Sequence, residues 1–106
     1  NPVVFLIKEY LHHNYAVPSL SVPDISEHVH LSPAYVCTLF KSETGQTLNQ
    51  YLTDYRIKMS KQFLSDPLYK ITDISAKVGY SDGNYYSKAF RKIVGLSPSE
   101  YREKML

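Results

Sequence analysis

The chain has 106 residues, of which 43% are hydrophobic and 21% charged, the balance of one globular domain rather than a disordered segment. No apolar run approaches the ~18 residues that a bilayer crossing takes, and no signal-peptide pattern is present, so the sequence reads as having no membrane role. The net charge of +2 is unevenly spread: residues 1–55 carry two basic and five acidic side chains, residues 56–106 ten and five. The second half is therefore the expected partner for a polyanion. The lone cysteine, Cys37, has no partner for an internal disulfide, which points to a reducing cytoplasm. Beginning at Asn1 rather than methionine, the chain reads as a fragment of a longer protein.

Taken in chain order, the start and stop signals predict seven helices. Asn1-Pro2 opens a helix over 2–14, with proline at its first position. Ser21 stands three residues before Asp24 and opens one over 22–29. Ser32-Pro33 opens 33–44, which Gly45 stops. The box "TLNQ" opens 48–65, Thr72 caps 72–78, Gly95 stops 83–94, and the box "SPSE" opens 98–105. Prolines and glycines fall between periodic segments, and no alternating strand pattern appears, so the fold class is all-α and a βαβ nucleotide fold is excluded.

A short pattern occurs twice. Asp24, Ile25, Ser26 and Val29 recur 49 residues on as Asp73, Ile74, Ser75 and Val78. Tyr35, Phe40, Gly45 and Tyr51 recur 50 residues on as Tyr85, Phe90, Gly95 and Tyr101, so one residue is added between Ser81 and Tyr85. A slip inside a turn is what a duplicated supersecondary unit tolerates. Two copies are too few for a solenoid. Each unit is a pair of short helices separated by a few residues, the spacing of a helix-turn-helix. Gly79 fits the left-handed residue such a turn needs, and His30 holds the same place in the first copy.

Helical periodicity sorts the faces. Ile25, Val29, Leu31, Val36, Leu39 and Phe40 are expected inward in the first unit, and Ile74, Val78, Tyr80, Tyr86, Ala89, Phe90 and Ile93 in the second. What remains outward on the second helix of each pair is Ala34, Cys37, Thr38 and Lys41, then Asn84, Ser87, Lys88 and Arg91, both at i, i+3, i+4, i+7. The second set has the chemistry of a base- and phosphate-reading face. Between the units, a helix of about 17 residues spans roughly 25 Å. Such a rod can hold both units on one side of a duplex, with their second helices facing major grooves about 34 Å apart. The expected organisation is a single domain, 1–106, with a first helix-turn-helix subdomain (1–46), a linker helix (47–65) and a second subdomain (66–106).

The stretches "DISEHVHLSPAYVCTLFKSETGQTLNQYLTDYRIKMSKQFL" and "ITDISAKVGYSDGNYYSKAFRKIVGLSPSEYR" resemble the DNA-binding domain of AraC/XylS-type bacterial transcription regulators, from about Val4 to Arg102. "VGYSDGNYYSKAFRKIVGLSPSEYR" is close to that family's signature. The resemblance implies two helix-turn-helix subdomains, sequence-specific binding of promoter double-stranded DNA, and a separate regulatory or receiver domain in the same protein. Activation through RNA polymerase is implied by the family alone. Carried over by position, Ala34, Cys37 and Thr38 face bases and Lys41 the backbone. The family often has arginine where Thr38 stands, so the bidentate arginine–guanine contact, worth ~1–3 kcal/mol of discrimination, is missing from the first reader. Asn84 suits adenine N6/N7, Lys88 guanine O6/N7 or a phosphate, and Ser87 either base, while Arg91 positions the helix. The amide ends of helices 48–65 and 98–105 are further candidate phosphate holders.

Plainer readings stand beside these. Tyr35 and Tyr85, with Tyr51 and Tyr101, read first as partly buried packing positions and second as stacking residues. Arg56 reads as the partner of a carboxylate, and Lys58 and Lys61 as a solvated face. Cys37 is a small residue on a reading face rather than a nucleophile. His28 and His30 are two apart across a helix end and His12 and His13 diverge, poor spacing for a metal, and no cofactor is expected. A helical protein-binding module and an enzyme remain the competing classes. No Gly-rich phosphate loop, HExxH or nucleophile elbow is present, and the duplicated turn–helix spacing favours the DNA reader. The charge asymmetry predicts that alanine at Lys88 and Arg91 weakens duplex binding more than alanine at Thr38 and Lys41, measured by fluorescence anisotropy. Equal losses would show that the second unit does not dominate.

Overall fold

The computed structural model describes residues 1–106 as seven helices with no strand. They are α1 (Pro2–Asn14), α2 (Val22–Val29), α3 (Pro33–Thr44), α4 (Leu48–Leu64), α5 (Ile71–Lys77), α6 (Gly83–Val94) and α7 (Pro98–Met105). The all-α expectation holds, and most ends fall where the local signals place them. Asn1 Oδ1 accepts from Val3 N at 2.9 Å, and Ser32 Oγ from Tyr35 N at 3.2 Å. Reciprocal capping boxes close on α4 through Thr47 and Gln50, and on α7 through Ser97 and Glu100. Two helices differ in their bounds. α4 ends at Leu64, with Ser65 as its C-cap. α5 runs from Ile71 to Lys77 behind Lys70, and Thr72 caps nothing. Ile71 and Ile74 both pack on the same core, so apolar burial rather than a hydroxyl sets that start.

The helices bury two separate cores along a body of 43 × 22 × 21 Å. Val4, Ile7 and Leu11 of α1, Ile25 of α2, Val36 and Phe40 of α3, and Leu48 and Leu52 of α4 form the first. Ile57 and Leu64 of α4, Ile74 of α5, Val78 and Tyr80 of the following turn, and Tyr86 and Phe90 of α6 form the second. Helix α4 thus gives its N-terminal half to one core and its C-terminal half to the other. Tyr15 is the side chain packed against both.

Each core fixes its α3 or α6 in the same way. The Phe40 ring meets Tyr51 edge-on, 5.4 Å between centroids at 78°, and Phe90 meets Tyr101 at 5.5 Å and 73°. Tyr51 and Tyr101 are therefore packing residues. Tyr35 and Tyr85 are not: they are 51% and 67% exposed, which corrects the packing reading for both. Ile93, expected inward, is 42% exposed because it borders an open cleft rather than the core.

The turns between paired helices are left-handed at His30 (φ 58°) and Gly79 (φ 98°), as their positions require. The two partly buried arginines hold carbonyls, not carboxylates. Arg56 Nε donates to Tyr15 O at 2.8 Å and its Nη2 to Val17 O at 3.0 Å, just past the C-terminus of α1. Its guanidinium carbon lies 5.5 Å from the Tyr80 ring centroid. Arg102 does the same at the end of α4, donating to Leu64 O at 3.0 Å and Asp66 O at 3.3 Å. Guanidinium groups there complement the negative end of the helix dipole and satisfy carbonyls the helix leaves unpaired. The carboxylate partner expected for Arg56 is replaced by these carbonyls because α1 ends directly against α4.

Truncating Phe40 or Phe90 to alanine is expected to cost about 3–5 kcal/mol each, measured by urea unfolding. His12 gives a pH signature. Its Nε2 lies 2.8 Å from Tyr51 Oη and its ring stacks on Tyr55 at 4.3 Å. Burial, then Lys58, pulls its pKa below the ordinary 6.5. The unfolded chain therefore binds the proton more readily. Stability from this site is complete above about pH 6.5 and declines as pH falls below it. His12→Gln should flatten that part of the stability–pH curve, and an unchanged slope would assign it elsewhere.

Candidate nucleic-acid interface

Helix α3 starts from Ser32 and α6 from Asp82, whose Oδ1 accepts from Asn84 N at 2.8 Å. Both stop at glycines in the left-handed region, Gly45 at φ 79° and Gly95 at φ 89°. Their inner faces are pinned by Val36 and Phe40 in one case and Tyr86 and Phe90 in the other, all fully buried. The rotation of each helix about its axis is thereby set, and the outer face is what remains.

On α3 that face presents Ala34, Tyr35, Cys37, Thr38 and Lys41, all exposed. On α6 it presents Asn84, Tyr85, Lys88 and Arg91, also exposed, with Ser87 half-buried beside them. Lys41 Nζ donates to Gly45 O at 3.2 Å, so its ammonium folds over the end of its own helix. Arg91 approaches Glu100 at 3.6 Å, with both side chains largely in water. The Ser97 backbone amide and then its hydroxyl hold the Glu100 carboxyl below its ordinary pKa, so it stays charged beside Arg91. An exposed pair of this kind is weak and screened by salt, and it leaves Arg91 free to exchange partners.

The two faces meet a common space. A cleft of about 700 Å³ lies between the C-terminal end of α3, the N-terminal half of α4 and the side of α6. Lys41, Gln46, Asn49, Tyr85, Lys88 and Lys92 are among its lining residues. Residues from both outer faces thus border one cleft beside α4. Gln46, Asn49 and Lys92 were not singled out from the sequence. Lys92 carried a signal as the second basic residue in the last turn of α6, whereas Gln46 and Asn49 carried none beyond polarity. Gln46 is held there by a 2.9 Å bond from its Nε2 to Asp54 Oδ2.

Residues 25–104 match the family model described as a helix-turn-helix domain. The chain belongs to that helix-turn-helix family. Its similarity to the Msm operon regulatory protein of Streptococcus mutans is 35% identity over 93% of this chain and 35% of that protein. Among solved structures, the C-terminal domain of AraT, a response regulator from Geobacillus stearothermophilus, superposes with a TM-score of 0.94 at 29% identity, covering 98% of this chain and 86% of that one. The DNA-binding domain of AdpA, solved with a target DNA, superposes with a TM-score of 0.87 at 21% identity over 98% of this chain and 92% of that one, a likeness of fold. The AraC-type resemblance seen in the sequence stands on these matches. The chain spans about a third of the length of the Streptococcus regulator. No helix is long and apolar enough to cross a membrane.

Proposed function

We propose that this domain reads double-stranded DNA with two helices, α3 and α6, as the output part of a larger transcription regulator acting in the cytoplasm. The observation that carries the reading is the common cleft. Lys41 of α3 and Lys88 of α6 border the same space, so both outer faces open towards one side of α4. A single duplex laid along that side meets both. In this reading residues 1–46 and 66–106 act as two heads on the linker 47–65.

Base readout falls to Ala34, Cys37 and Thr38 in the first head and to Asn84, Ser87 and Lys88 in the second. Tyr35 and Tyr85, exposed at the first turns of their helices, add contacts to sugar or base edges. Lys41, Arg91 and Lys92 hold phosphates, which sets register without reading sequence. The half-buried position of Ser87 limits it to a partner that approaches closely. The first head has no arginine at Thr38, so it favours thymine methyl contacts. The preceding part of the intact regulator supplies the signal, and activation of transcription proceeds through contact with RNA polymerase.

Fluorescence anisotropy with a randomised duplex pool at ~50 and ~200 mM salt, followed by sequencing of the bound fraction, tests this. Expected are a steep fall in affinity with salt and enrichment of two half-elements about one helical turn apart. A single enriched half-element would mean one working head. No binding at either salt would overturn the reading.

A further inference from the structure

The two cores are joined by one continuous helix, and a single helix between two bodies leaves their relative rotation open to bending. The structure closes that freedom at a second place. Arg56 projects from the middle of α4. It donates to the carbonyls of Tyr15 and Val17, which belong to the end of α1 in the first half. The same guanidinium lies over Tyr80, a core residue of the second half. Next to Tyr80, Gly79 brings its backbone so close that an added Cβ would run into the Tyr15 carbonyl oxygen and come within 2.7 Å of Arg56 Nε.

The first copy differs at this turn. His30 holds the equivalent left-handed turn at φ 58° and points to solvent. Gly79, at φ 98°, lies beyond the range that side chains readily adopt, so glycine there serves both the backbone and the close contact of this turn with the end of α1. Arg102 supplies an internal comparison. It makes the same pair of carbonyl bonds, to Leu64 and Asp66, but within the second half alone.

We propose that Arg56 and Gly79 form a latch that fixes the distance and angle between the two reading helices, and so sets the spacing of DNA half-elements the domain accepts. Arg56 and Gly79 touch no base in this arrangement; they are positioning residues. The inference rests on the two-headed reading proposed above, and its first test needs no DNA.

Cys37, the only cysteine and exposed on α3, accepts one spin label, and Lys92→Cys on α6 a second. The distance distribution between them, read by pulsed electron resonance on the whole chain, is expected to be narrow. Arg56→Met, Arg56→Lys and Gly79→Ala are each expected to broaden it about twofold or more. Arg102→Lys should leave the width unchanged although it removes a similar pair of bonds. Equal widths in the parent and all three latch variants, or equal broadening by Arg102→Lys, would overturn the latch.

The DNA arm uses unlabelled protein with Cys37 and Lys92 intact. Affinities are measured for the selected duplex and for versions with the half-elements moved by one or two base pairs. The parent is expected to lose about tenfold or more per shifted pair, and Arg56→Lys about threefold or less. The same spacing penalty in both also overturns the latch. Failure of any duplex to bind would reject the DNA reading while leaving the label distances to judge the latch.

Discussion

An edge-on contact between a phenylalanine and a tyrosine holds α3 and α6 each in place, and the exposed surface follows from it. At 12 residues each, α3 and α6 are marginal alone in water, so each depends on what its apolar side meets. Phe40 and Phe90 are the fully buried anchors of α3 and α6, and Tyr51 and Tyr101 cover them from the helix that comes next. A lysine lies over each tyrosine, Lys8 at 5.5 Å and Lys61 at 5.7 Å, so even the outer layer is repeated. Once the ring on the inner side is fixed, a helix has no rotational freedom left. The residues a half-turn away must face water. The outward face of each helix is in this sense a by-product of the core.

The two heads have diverged on that common frame. Their packing is nearly the same, but the first offers small and weakly polar groups where the second offers an amide and cations. Their caps differ as well. Ser32 at the start of α3 is neutral, whereas Asp82 at the start of α6 is acidic. A carboxylate at that end already satisfies the helix dipole and repels a second anion, so α6 has less reason than α3 to seat a phosphate on its N-terminus. Its cations sit instead along its flank and last turn. In the proposed reading, the second head is entered from the side rather than tip-first.

How much of this was legible in the sequence depended on how local the cause was. Caps, glycine stops and the duplicated pattern are written within a few residues, and Asn1, Ser32, Thr47, Gly45 and Ser97 act where the sequence places them. The start of α5 was not legible because apolar burial of Ile71 decided it against the hydroxyl of Thr72. The partners of Arg56 were hidden for a different reason: the carbonyls lie 39 and 41 residues earlier, at a helix end that no side-chain pattern advertises. Ile93, Tyr35 and Tyr85 sit near the edge of their apolar stripes. There periodicity cannot choose between core and solvent, and the presence or absence of a neighbouring helix does. The outward faces of α3 and α6 were readable because they are what burial of the opposite side leaves over.

The divided allegiance of α4 bears on how such domains can be recombined. Leu48 and Leu52 complete the first core, and Ile57 and Leu64 the second. A cut at either end of the helix would strip one half of residues it needs, so neither head is a freely portable module. An exchange of heads between relatives has its natural seam inside the helix, between Leu52 and Ile57. A seam placed before Arg56 takes that arginine from one parent and the end of α1 that it must match from the other. Each outward face in this architecture is inherited with half a helix attached.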